Sequence, residues 1–135
     1  MTEHYRTLRV LAIAFLASGL AGVHARAADV AGQKYPDVIA AKVQPAGAGS
    51  FDFDVTVSSP YDTPERYADA FRVAGREGRV YGERKLLHDH AGEQPFTREL
   101  YGVKVPPGVR TVTVQARDRK FGYGGKSIEV GLPGR

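Results

Sequence analysis

From residue 50 the chain alternates. In SFDFDVTVSS, Phe51, Phe53, Val55 and Val57 share one parity, while Asp52, Asp54, Thr56 and Ser58 hold the other. A period of two puts one row on a buried face and the other in water; a helix would scatter those aspartates around its cylinder. The pattern returns in VRTVTVQARD, with Val112, Val114 and Ala116 inward and Thr111, Thr113, Gln115 and Arg117 outward. It returns again in KSIEVGLP, where Ile128, Val130 and Leu132 form the apolar row.

Weaker strand signals fill the gaps. DVIAAKVQP (37–45), carrying Val38 and Val43, is a first strand, and AGAGS turns it. YADAFRVAG directs Phe71 and Val73 inward, REG forms a tight hairpin with Gly78 in the left-handed region, and RVYGERKLLH returns. Before them lies SPYDTPER, a turn-rich loop in which Thr63-Pro64-Glu65 allows at most one helical turn. FTRELYGVKV is a further strand, PPG a turn, and RKFGYGG a loop predicted to hold Gly124 and Gly125 at positive φ with Tyr123 at its tip. About seven short strands without a long helix predict two antiparallel layers with one core. The expected fold is an immunoglobulin-like or fibronectin type III-like β-sandwich, drawn on pattern since the chain has no Cys and no Trp.

The first 27 residues read differently. Arg6 and Arg9 precede an apolar, uncharged run over 10–23, and Ala25-Arg26-Ala27 ends in the small residues a signal peptidase reads. The run is shorter than the ~20 residues a membrane-spanning helix needs. The expectation is a cleaved secretory signal over 1–27, a flexible lead-in over 28–35 and one sandwich domain over 36–133. No integral membrane segment remains after processing, and the location is periplasmic or secreted. No Cys follows the run to carry a lipid.

Processing also lowers the formal net charge from +4 to about +2. With no basic run to track a phosphate backbone, nucleic acid is not an expected partner. His4 and His24 fall within the leader, so His88 and His90 are the histidines that remain.

Both lie in HDHAGEQPFTREL, which VTVQARDRKFGYGGKSIEVGLP follows. The His-x-His-x-x-Glu-Gln-Pro-Phe-Thr-Arg block and the Ala-Arg-Asp…Gly-Tyr-Gly-Gly block resemble a group of small, exported, functionally uncharacterised bacterial proteins. The resemblance covers roughly residues 36–133 and implies an exported immunoglobulin-like or fibronectin type III-like domain, with no activity attached.

The block carries the candidate chemistry. His88 and His90, two apart on a strand, project to one face, with Glu93 able to fold back as a third ligand. Such a set suits an open Zn²⁺ or Cu(II) site, and these are the cofactors it implies. A closed structural zinc site needs four ligands, and an iron centre of the superoxide reductase type needs more histidines and a cysteine. Against the metal reading stands a plain one, in which the histidines end a strand and hydrogen-bond loop carbonyls. Phe96 enters the core, and Arg98, of the same parity, lays its stem on apolar surface and reaches Glu93 or Asp118. Glu93, Arg98, Asp118 and the loop aromatic Tyr123 are the candidates for contact with a ligand or partner.

Nothing points to catalysis: Ser50, Ser58, Ser59 and Ser127 sit in no nucleophile motif. The expected role is a non-enzymatic binding or accessory module for an unknown protein or small molecule. The alternative is a metal-binding protein or metalloenzyme built on the His88/His90 pair.

Overall fold

The computed structural model describes residues 32–135. The leader, its cleavage after Ala27 and the first part of the lead-in lie outside the described residues. Eight antiparallel strands follow: β1 (Asp37–Pro45), β2 (Ser50–Ser58), β3 (Ala68–Ala74), β4 (Val80–Lys85), β5 (Phe96–Lys104), β6 (Thr111–Asp118), β7 (Gly122–Tyr123) and β8 (Ile128–Gly131). One sheet has the order β1-β2-β5; the other has β4-β3-β6-β7, with β8 also pairing β6. This is the immunoglobulin-like or fibronectin type III-like sandwich that the alternation predicts.

The two most regular sequence patterns form the two sheet centres. Along β2 and β6 every second side chain is buried. Phe51, Phe53, Val55 and Val57 face Phe71 and Val73 of β3 and Val112, Val114 and Ala116 of β6 in one core. Val38, Ala68, Leu86, Phe96, Val103, Val105 and Leu132 complete it, while Ile128 and Val130 pack half-buried at its margin.

β5 departs from simple alternation. Phe96 and Val103 are both buried although their numbers differ in parity. The register with β2 slips between Phe51 and Phe53, which oppose Val103 and Leu100. The extra residues form a bulge that reverses which parity faces inward. Gly102 supplies its positive φ of 64°, and Asp52 Oδ1 accepts the Gly102 amide at 2.8 Å.

Three local expectations change. Thr63–Arg66 is a turn closed by reciprocal main-chain bonds (Thr63 N to Arg66 O, 2.8 Å; Arg66 N to Thr63 O, 3.2 Å), not a turn of helix. In the glycine loop, positive φ falls on Gly122 and Gly125 rather than Gly124. Gly124 instead lies flat against the Tyr35 ring, where a Cβ would collide. The described end of the lead-in is tied down: Gln33 Nε2 donates to the Ser58 carbonyl at 3.1 Å, and Arg66 donates to the carbonyls of Gln33 and Lys34.

Candidate functional site

The loops after β2, β4 and β6 meet at one end of the sandwich, and buried carboxylates hold them. Asp62, in the loop after β2, is 5% exposed. Its Oδ1 accepts the Ala68 amide at 3.1 Å and its Oδ2 the His90 amide at 3.0 Å. Burial pushes the carboxyl above its usual range, and the two amides pull it back only in part.

Gln94 works beside it. Its Oε1 accepts the Ser59 amide at 2.8 Å, and its Nε2 donates to the His90 carbonyl at 3.0 Å and to Ser59 Oγ at 3.3 Å. The side chain therefore bridges the end of β2 to the His-containing loop as a strand backbone would. The Gln94–Pro95 peptide is cis.

The histidines do not end a strand, since β4 stops at Lys85. They lie in the following loop, where their rings still meet, with centroids 4.8 Å apart. His88 is exposed, and its Nδ1 donates to the Asp89 carbonyl at 2.8 Å. His90 is buried and stacks on Phe96 at 3.9 Å. The Arg98 guanidinium lies over the other aromatic member of that stack, 5.6 Å from the Phe96 centroid. His90 Nδ1 is buried without a protein partner. Burial, then the nearby Arg98 and His88 charges, hold the His90 imidazole below its usual pKa.

Arg98 reaches Glu93, not Asp118. The pair is bidentate, at 2.8 and 3.3 Å, and Glu93 is largely in solvent. The hydrogen bonds from Arg98 hold its carboxyl below the usual range. Of the two partners open to Arg98 in the sequence, the structure takes the nearer, in a local link over five residues at the surface. Among the described residues, no three His, Cys, Asp or Glu side chains converge as a metal cluster.

Asp118 serves the neighbouring loops. It is fully buried; Oδ1 accepts Tyr61 Oη at 2.7 Å and pairs with Arg66 Nε at 3.1 Å. Oδ2 accepts the Lys120 and Phe121 amides at 2.8 and 2.9 Å. Burial alone would raise this carboxyl; the Tyr61 and amide hydrogen bonds, with the Arg66 charge, outweigh it and hold it below the usual range.

Tyr123 is half-buried rather than a free tip. Its hydroxyl donates to Glu83 at 2.6 Å, and the Arg72 guanidinium covers its ring at 3.8 Å. Burial and the Glu83 carboxylate raise its pKa. The structure thus gathers His88, His90, Phe96, Arg98 and Glu93 into one cluster, with His90 and Phe96 buried and the Arg98–Glu93 pair at the surface, and leaves Asp118 and the glycine loop in separate networks. Asp62, Tyr61 and Arg66 were not singled out in the sequence. Their signal was a polar cluster inside SPYDTPER, whose Asp and Thr are ordinary turn formers; the partners that give them their role are remote in the chain.

No family model matches the chain. A protein of Halomicrobium mukohataei described as a "Putative lipoprotein" is 36% identical over 94 residues, 70% of this chain and 46% of that protein. The chain therefore spans about half the length of the curated relative it matches. Among solved structures, a superoxide reductase (neelaredoxin) from Archaeoglobus fulgidus aligns with a TM-score of 0.43 at 15% identity, over 71% of this chain and 87% of the other.

Proposed function

We propose that the chain is a non-enzymatic binding or accessory β-sandwich module of an exported, envelope-associated protein. The carrying observation is how the motif uses its polar groups. Asp62 and Gln94 are occupied by main-chain amides and a carbonyl that tie the loop after β2 to the start of β3 and to the loop after β4, and Asp118 is occupied by Tyr61, Arg66 and two amides. These groups build a rigid end to the sandwich, and rigid loop ends are where such folds present contacts. The charged, apolar and small-residue zones of 1–27 support export, as does the lipoprotein description of the Halomicrobium relative. Cell fractionation with intact-mass measurement tests the reading. The expected product is extracytoplasmic and begins at Ala28; a cytoplasmic chain retaining Met1 overturns it.

A second reading has its own observation. The His88 and His90 rings adjoin, and His90 Nδ1 lacks a protein partner. Two imidazoles would hold Zn²⁺ or Cu(II) weakly, with Glu93 joining only by leaving Arg98. Stoichiometric Zn²⁺ or Cu(II) should then shift both ring signals in NMR, and replacing both histidines by Ala should abolish the shift. Unchanged wild-type rings remove this reading.

A further inference from the structure

The far end of the sandwich carries a different chemistry. There the β3–β4 hairpin faces the loop between β5 and β6, and a groove of about 480 Å³ runs between them, lined by Arg76, Glu77, Arg79, Tyr81, Val109 and Arg110. Its floor depends on a glycine. A Cβ on Gly75 would lie 2.6 Å from the Tyr81 hydroxyl, so the absence of a side chain lets the ring lie across the hairpin.

The arginines of this groove differ from the others described. Arg66, Arg98 and Arg117 are held by carboxylates. Arg84 and Arg135 are held by carbonyls, and Arg72 and Arg119 lie over tyrosine rings. Arg76, Arg79 and Arg110 are the remaining arginines of residues 32–135. Among the described residues none of the three has a side-chain hydrogen bond, an ion pair or an aromatic partner, and all three are exposed on the same groove. Glu77 is the one carboxylate among the lining residues, so the cations are in excess.

We propose that this groove binds an acidic polysaccharide. Guanidinium forks match the planar oxygens of carboxylate and the oxygens of sulfate, two at a time. Like charges brought together without an internal anion complement an external one. The volume is that of a ligand pocket and far exceeds a single small anion. A sugar chain fits it by setting acid groups against the three arginines and a ring face against Tyr81. The proposal deepens the binding-module reading by naming its ligand class.

The test is a calorimetric and NMR titration of the purified chain with two probes, oligogalacturonate for carboxylate and a heparin oligosaccharide for sulfate. A neutral oligosaccharide of equal length serves as control. At least one acidic probe should bind, move the amide signals of 75–79 and 106–110, and weaken as salt rises. The triple variant Arg76→Gln, Arg79→Gln, Arg110→Gln should lower that affinity at least about tenfold. A charge-matched variant at the other end, Arg119→Gln, Lys120→Gln, Lys126→Gln, should change it by less than about twofold, because those charges sit at the opposite end of β6 from the groove and salt screens distant exposed charges. Equal melting temperatures for the triple variant and wild type confirm that the fold is intact. Equal loss in both variants would mean net charge alone, and would overturn the proposal. So would binding of neither acidic probe, or arginine-dependent binding to phosphatidylglycerol vesicles without binding to either saccharide. Export is scored separately by fractionation, so failure here leaves the module reading standing.

Discussion

Asp62 gives both carboxylate oxygens to main-chain amides, one at the start of β3 and one in the loop after β4. Removing it strands two buried donors, and hydrogen bonds to a charged group are each worth more than neutral ones. Asp62→Ala should therefore lower unfolding free energy by about 2–4 kcal/mol, measured by urea denaturation at neutral pH. Asp62→Asn, which keeps one acceptor oxygen, should recover part of the loss; an Ala variant as stable as wild type would contradict the staple. His90 sets a pH dependence of the opposite kind from a paired histidine. Its folded pKa lies below the usual value because burial, Arg98 and His88 outweigh Asp62 and Glu93. Between that depressed value and the unfolded value of about 6.5, the unfolded chain binds a proton the folded chain does not. The stabilisation is thus complete above about pH 6.5 and is lost as pH falls toward the folded pKa. With chelator present, the wild-type melting temperature should fall between about pH 7 and pH 5, and His90→Phe, which keeps the stack on Phe96, should flatten that fall. Parallel pH curves would assign the acid sensitivity elsewhere.

At the scale of elements, the β5 bulge is the informative case. Gly102 adopts φ 64° with open space where a Cβ would be, so Gly102→Ala meets backbone strain without a clash and should cost about 1 kcal/mol. A chemical denaturation series with Asp52→Ala would show whether the Asp52 cap and the bulge act together; additive losses would mean they do not. The bulge also marks the limit of reading strands from alternation. β2, β6 and the apolar row of β8 were legible because their patterns are unbroken, and each was placed by parity alone. FTRELYGVKV was legible as a strand, yet Val103 took the inward place only because the bulge shifted the count; Gly102 inside the run was the available cue. The helical turn after Thr63 failed for a related reason. Its proline is compatible with either structure, and the reciprocal bonds to Arg66 settle it. Parity placed Arg98 beside Phe96, but Glu93 and Asp118 both stayed open as its partner, and nothing in the sequence separated them. What took Asp118 out of reach was Tyr61 and Arg66, more than fifty residues away in the chain.

Across the whole molecule, the core and the loop end carry separable shares of stability. The core is aliphatic and aromatic from both sheets, while the loop end rests on Asp118, which joins the loop after β2 to the loop after β6. Removing a buried carboxylate leaves its donors unpaired, but Arg66 keeps some solvent contact at 28% exposure and can be rehydrated, so the loss should fall short of that for a fully sealed pair. Asp118→Ala is expected to cost about 2–4 kcal/mol. A domain with a margin of about 5–15 kcal/mol stays folded after such a loss. Its consequence should then be local opening rather than global collapse. Hydrogen exchange on the variant should show the Lys120 and Phe121 amides, which the carboxylate accepts directly, losing protection first, with the Asp62 amide and the rest of the Tyr61–Arg66 turn following. Amides of β2, β3 and the centre of β6 should exchange more slowly than these by the same order as in wild type, lowered only by the global change. Uniform loss of protection across both sheets would show instead that the loop end and the core unfold as one unit, and that the sandwich depends on its corner.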